Sequence, residues 1–275
     1  MLKTRLLLGS VMAAAAGGVL FFDAYCYPYY PILLLLALAV GTLATRELLS
    51  LLPTENRPRG WLCLLGVATL IVLPFVRAVF MVGDKGSMGE VFAALLFFAF
   101  LVEVFLYREP GRCVTRVAHF VFVVGYLGIL PSFFLKLRWL GENSGWMLAL
   151  AIFVPKCCDI GAYFTGRIVG RHPMTPKLSP KKTWEGLAGG LALAVGTAVA
   201  ASQFAPIFEG GIVDATAFGL VVGSAGVLGD LAESLIKRDA RAKEASHAVP
   251  GFGGVLDVID SILFAGPVVY LWFCR

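Results

Sequence analysis

Charged residues are scarce in this chain: Asp, Glu, Lys and Arg make up 15% of its 275 residues, whereas 59% are hydrophobic and the mean hydropathy is +0.83. That balance excludes a soluble globular domain and identifies an integral membrane protein. Paired cysteine spacing is also missing. Cys26, Cys63, Cys113, Cys157, Cys158 and Cys274 lie scattered, mostly inside apolar runs, which excludes a zinc ribbon or a disulfide framework and leaves them as small packing residues. Cys157 and Cys158 face different sides of a helix and do not easily share a metal. No internal repeat and no long Ser/Gly/Pro-rich linker appears, so neither separate domains nor the symmetric halves common in secondary transporters are indicated.

What is present is a succession of apolar runs of about 17 to 20 residues, the length a helix needs to cross roughly 30 Å of hydrocarbon. The pattern predicts an all-α polytopic bundle of about nine transmembrane helices: Leu6 to Phe22, Ile32 to Leu49, Trp61 to Phe80, Val91 to Tyr107, Val117 to Leu135, Trp146 to Phe164, Gly186 to Phe204, Ile212 to Leu228 and Val255 to Phe273. The first has Lys3 and Arg5 ahead of its apolar core, like a signal peptide, but no convincing cleavage site follows, so it is read as a retained helix. The chain reads as one membrane domain, with helices and short loops over residues 1–150 and the chemistry in a C-terminal region, 151–275. Of the 23 lysines and arginines, all but Arg77, Lys85, Lys136, Arg138 and Arg275 fall on the N-terminal segment and alternate loops. By the positive-inside rule the N-terminus and the charged C-terminal loops face the cytoplasm, and the C-terminus lies outside, in a cell membrane. The net charge of +5 is then topological plus one anion site, and gives no support for nucleic-acid binding.

Two segments break the apolar pattern. From Gly229 to Ser261 the sequence is GDLAESLIKRDARAKEASHAVPGFGGVLDVIDS. Read as a helix from Asp230, it sets Asp230, Ser234, Lys237, Arg238 and Arg241 on one face. The turn from Pro250 to Gly254 allows close backbone approach to a ligand, with Gly253 and Gly254 as contacts, and the next helix opens with Asp257 and Asp260 on one side. Acids beside bases at helix mouths suit a hard divalent metal, magnesium above all, that shares its coordination with substrate phosphates. The second segment, Lys156 to Gly190, ends in PKLSPKKTWEG and offers Lys177, Ser179, Lys181, Lys182 and Thr183 just before a helix. Helix-start amides favour anions, so a phosphate fits there; a basic loop that fixes topology and touches anionic headgroups is the alternative. Asp159 stands nearby as a metal ligand, a cytidine contact or a partner of a neighbouring lysine. In the first half, Glu47, Glu103 and His119 are candidate cavity residues, with Arg46 and Glu47 expected to form a charge pair at a helix end.

The run from Ser234 to Asp260 resembles the signature of the phosphatidate cytidylyltransferases, or CDP-diacylglycerol synthases, in which a Ser-x-x-Lys-Arg helix leads through Lys-Asp and Pro-Gly-His-Gly-Gly to Leu-Asp-Arg-x-Asp. Asp159 and the SPKKTWEG block resemble the same family's upstream region. Three positions depart: Glu244 stands for Asp, Phe252 for His and Val258 for Arg, while Asp230, Asp257, Asp260, Lys237, Arg238, Lys243 and the glycines are retained.

The resemblance implies a reaction joining CTP to phosphatidate, with CDP-diacylglycerol and pyrophosphate as products. It implies Asp230 and Asp257 as ligands of Mg2+, with or without a monovalent cation beside it, and Asp260 as a ligand or its neighbour. Lys177, Lys181, Lys182, Lys237 and Arg238 would neutralise phosphates by chemical inference, and Ser179, Thr183, Ser234, Lys243, Gly253 and Gly254 complete the expected substrate contacts. CTP, phosphatidate and the bilayer are the expected partners, with a homodimer as the protein assembly considered. The attacking phosphate monoester, with a second pKa near 6, is already largely dianionic at pH 7, so the missing His need not be a base. A CTP-dependent lipid alcohol kinase and an inactive relative remain as alternatives. A transporter would spread its charge over both halves, and a purely structural protein has no reason to carry carboxylates that cost about 2.5 to 3.5 kcal/mol each at helix-centre depth.

Overall fold

A computed structural model describes residues 2–80, 87–107, 110–246, 248–249, 251 and 253–274, with side chains described from Gly9 onward except Met12 and Ala13. Phe252 and His247 therefore lie outside the described residues. The described residues form ten α-helices: α1 (Leu2–Ala24), α2 (Pro31–Leu51), α3 (Gly60–Phe80), α4 (Met88–Phe105), α5 (Cys113–Val124), α6 (Leu130–Arg138), α7 (Ser144–Val169), α8 (Trp184–Ser202), α9 (Gly211–Asp239) and α10 (Val255–Phe273). A five-residue π turn, Gly125–Ile129, joins α5 to α6, so that Cys113–Arg138 is one span. Among the described residues, eight helices are long and apolar enough to cross a membrane, and Gly9–Ala24 of α1 adds a shorter apolar helix where the first span is expected.

Two features depart from the sequence reading. Helix α9 joins the span expected to end at Leu228 to the helix read from Asp230: it runs unbroken to Asp239, carrying Asp230, Glu233 and Lys237 on the same rod as the apolar span. It ends there, with Arg241 at φ 54° beyond the helix, so Arg241 does not extend the charged helical face. The basic segment before α8 is a small antiparallel hairpin, β1 (Pro173–Thr175) with β2 (Ser179–Thr183). Thr183 ends that hairpin and starts α8, its hydroxyl accepting from the Gly186 amide at 3.1 Å. The expected helix-start chemistry is thus provided by Thr183.

Small residues let α7, α8, α9 and α10 pack closely. A methyl group on Gly190 of α8 would meet the Cys158 carbonyl of α7 at 2.7 Å, and one on Gly229 of α9 would meet the Asp260 carbonyl of α10 at 2.4 Å. The second contact brings the backbones of α9 and α10 together beside Asp230 and Asp260. Buried apolar residues from both halves, from Leu33 and Leu70 to Leu148, Phe218 and Val269, form one continuous core.

Candidate active site

The charged residues of the second half converge where the C-terminal half of α7, the end of α9 and the start of α10 meet. Asp230 and Glu233 lie one helical turn apart on α9, and Asp260 enters one and a half turns into α10. Each offers one oxygen to a group whose members all lie within 4.8 Å of one another. Glu233 is fully buried and Asp260 nearly so, while Asp230 is partly open. Three hard oxygen donors at that spacing fit a divalent cation.

Lysines neutralise part of this cluster's charge. Lys182, from the hairpin, reaches Asp230 Oδ2 at 2.7 Å. Lys237 pairs with Glu233 one turn earlier and with Asp257 Oδ1 at 2.5 Å. Lys156 of α7 stands 3.4 Å from both Asp159 Oδ2 and Asp260 Oδ1. Asp159 also accepts from Ser261 Oγ at 2.9 Å, and Ser234 Oγ lies 3.5 Å from Asp230 Oδ1. Five acids thus face three lysines.

Asp257 is tied differently from Asp230 and Asp260. Besides Lys237, it accepts from the backbone amides of Ala245 at 2.9 Å and Gly254 at 2.7 Å, closing the loop onto the first turn of α10. It adjoins the acid group through Lys237 and is not one of the three whose oxygens converge.

The glycine turn is also occupied from within. Gly253 is at φ 106° and its amide bonds the Val249 carbonyl at 3.0 Å, while the Gly254 amide is held by Asp257. Gly253 and Gly254 therefore direct their amides to protein acceptors.

The remaining expected site residues lie on the rim. Lys177 and Lys181 are exposed on the hairpin, and Ser179 sits at the start of β2. Arg238 binds the Leu178 carbonyl at 3.3 Å and the Ala242 carbonyl at 3.4 Å, fastening the hairpin and the following loop to α9. Lys243 and Glu244 are exposed in that loop, and Val258 is partly buried on α10. Of the candidates in the first half, Glu103 pairs with Arg116 at 2.5 Å and His119 Nδ1 lies 2.8 Å from the Asn56 carbonyl.

Glu47 overturns one expectation. Arg46 is exposed, whereas Glu47 turns inward to Ser246 Oγ at 2.6 Å and to the amides of Val255 and Leu256 at 2.9 and 2.8 Å. Adjacent residues on a helix point about 100° apart, and the unmet amides at the start of α10 attract the carboxylate. No sequence signal identified this bond, because its partners stand some two hundred residues away. Glu233 and Lys156 were also not among the expected catalytic set; the only hint of Glu233 is an acid one turn after Asp230 on a helical pattern.

Along nearly its whole length the chain is similar to known proteins. A model described as the cytidylyltransferase family matches residues 3–274. The phosphatidate cytidylyltransferase of Bacillus subtilis (strain 168) is 32% identical over 242 residues, covering 86% of each chain. That of Thermotoga maritima is 28% identical over 277 residues, covering 99% of this chain and 96% of the relative, and that of Mycobacterium bovis is 29% identical over 245 residues, covering 75% and 78%.

Proposed function

Since the chain belongs to the cytidylyltransferase family, we propose that it condenses CTP with phosphatidate, forming CDP-diacylglycerol and pyrophosphate for phospholipid synthesis. The observation that carries the reading is the convergence of Asp230, Glu233 and Asp260 beneath a lysine-bearing hairpin at one end of a membrane bundle. In the reaction, a phosphate oxygen of phosphatidate bonds to the α-phosphorus of CTP. The bond from that phosphorus to the α–β bridging oxygen breaks, and its electrons leave with pyrophosphate.

Asp230, Glu233 and Asp260 would hold magnesium, with Asp257 beside them and with or without a monovalent cation. Bound there, the ion would supply positive charge to the triphosphate and the departing pyrophosphate. The chain's own task is to bring two anions together. Lys182, Lys237 and Lys156 are bonded to carboxylates and stand beside the acids that would hold the ion, where their ammonium groups would donate to phosphate oxygens. Lys177, Lys181 and Arg238 line the open side, where a triphosphate would arrive from water. Asp257 orients Lys237 and ties the backbone at Ala245 to that at Gly254.

No residue is required to remove a proton from a phosphate that is already dianionic, which accommodates Phe252 where the family pattern has His. The distribution of cations puts this end of the bundle, with the N-terminus, in the cytoplasm and the C-terminus outside.

The test is product analysis. Purified protein receives phosphatidate in mixed micelles, magnesium, and CTP labelled separately at the α and γ phosphates. CDP-lipid carrying the α label, with the γ label in pyrophosphate, is the expected result. Transfer of the γ label to a lipid alcohol, with release of CDP, would instead establish a kinase.

A further inference from the structure

We infer that Glu47, from the first half of the chain, is a positioning residue for this reaction: it sets the start of α10 and so places Asp257 and Asp260. The inference rests on the proposed reaction and concerns a residue outside both charged segments. Three donors converge on the one buried carboxylate, Ser246 Oγ and the Val255 amide on Oε1 and the Leu256 amide on Oε2. Two of them are free amides of the first turn of α10, which an anion stabilises by hydrogen bonding and by charge. The third fixes the loop that leads into it. With Asp257 holding the Gly254 amide, three consecutive amides, 254 to 256, end on carboxylates of this chain. This helix start is consequently filled from within, and the triphosphate is directed to the lysine side of the site.

Gly254 supports the same conclusion. Its backbone, at φ −94° and ψ 175°, is open to any residue, so conformation does not demand glycine. A Cβ there would fall 2.5 Å from Glu47 Oε2 and 2.8 Å from Glu47 Cδ. The glycine makes room for Glu47. Asp260 follows one and a half turns into the same helix, so a shift in its first turn is passed on to the acid cluster.

The experiment uses the full chain in detergent and lipid, comparing wild type with Glu47→Gln, Glu47→Asp, Gly254→Ala and the Gly254→Ala/Glu47→Asp pair. Three quantities are read: hydrogen exchange of the amides at 254–257 without added metal, the magnesium concentration giving half-maximal rate, and kcat against KM. Glu47→Gln should speed exchange at these amides about tenfold or more, because its NH2 cannot accept. It should also raise the half-saturating magnesium concentration severalfold and lower kcat about tenfold, with both KM values within about twofold of wild type. Gly254→Ala should be damaging alone, and the pair should recover part of the loss, since the shorter acid clears the added methyl. Unchanged exchange in Glu47→Gln would overturn the inference. So would a lower rate with unmoved magnesium half-saturation, because a mere loss of folded protein scales the rate and leaves that value in place. Wild-type protein inactive with CTP and phosphatidate would overturn the proposed reaction, and the positioning role with it, whereas an active wild type with indifferent Glu47 variants would overturn this inference alone.

Discussion

Two buried charged clusters lie toward opposite ends of the bundle, and they are built on opposite plans. At one end, Asp23 accepts from Arg138 Nε at 3.0 Å and from the amides of Ile32 and Leu33, both at 3.0 Å. Arg138 also donates to Ser144 at 3.0 Å and lies 3.8 Å over the Tyr30 ring. One acid meets one base, both are almost fully buried, and helices α1, α2, α6 and α7 are joined. At the other end, about 20 Å along α2 by its rise per residue, five acids face three lysines and several of the groups remain partly open to solvent.

A charge-balanced, buried pair acts as a staple, in which removing one partner strands the other. An acid-rich cluster holds unspent negative charge, which disfavours the empty fold and favours a cation. On the proposed function, stability and chemistry belong to different ends.

The largest effect on activity should come from the acid-rich end. Asp260→Asn and Asp230→Asn should lower kcat/KM at least a hundredfold, about 2.7 kcal/mol of barrier, with a smaller loss of thermal midpoint in metal-free buffer than Asp257→Asn, because relief of like-charge repulsion offsets the lost lysine contact. Near-wild activity across a magnesium titration would remove these acids from the site. Asp257→Asn should also lose turnover, and should lower the thermal midpoint as well, since it gives up a cap and a lysine.

The staple should respond the other way. Arg138→Met leaves Asp23 buried without its cation and should destabilise the protein by about 3 to 5 kcal/mol, measured by thermal or denaturant unfolding in detergent. Molecules that remain folded should keep their magnesium half-saturation. A shift in that value would show that the two ends are coupled and would blur the comparison.

Magnesium itself should separate them further. At a hundred times its dissociation constant it should stabilise the wild-type protein by about 2.7 kcal/mol, and Glu233→Gln should abolish that gain while Asp23→Asn leaves it. Equal stabilisation of all three proteins would mean that the ion binds elsewhere.

The smallest effects belong to the hairpin lysines. Lys182→Ala should raise the KM for CTP more than that for phosphatidate, and more than Lys181→Ala does, because Lys182 reaches Asp230 whereas Lys181 stands exposed. The difference should shrink as salt is added, through screening of the exposed charge. A selective loss of phosphatidate affinity would move Lys182 to the lipid side.

Much of this was legible in the chain. Apolar runs long enough to span a bilayer specify helices without reference to one another, since lipid leaves backbone groups no other partner. The spans, the two charged segments and the family signature are local in sequence, and so are Thr183 as a helix start and Asp230 and Asp260 as acids out of place among apolar residues. Tertiary structure decided which charges meet. That α9 runs on to Asp239, that Glu233 joins Asp230 and Asp260 while Asp257 holds Lys237, and that Lys156 reaches across from α7 are consequences of close packing through glycines such as Gly229. Glu47 is the clearest case. Beside Arg46 in sequence it reads as half of an ion pair, yet helix geometry turns the two apart and the open amides of α10 claim the carboxylate. Hydrophobic length acts residue by residue along the chain, whereas a buried charge takes the nearest partner in space, and only the packed bundle determines which partner that is.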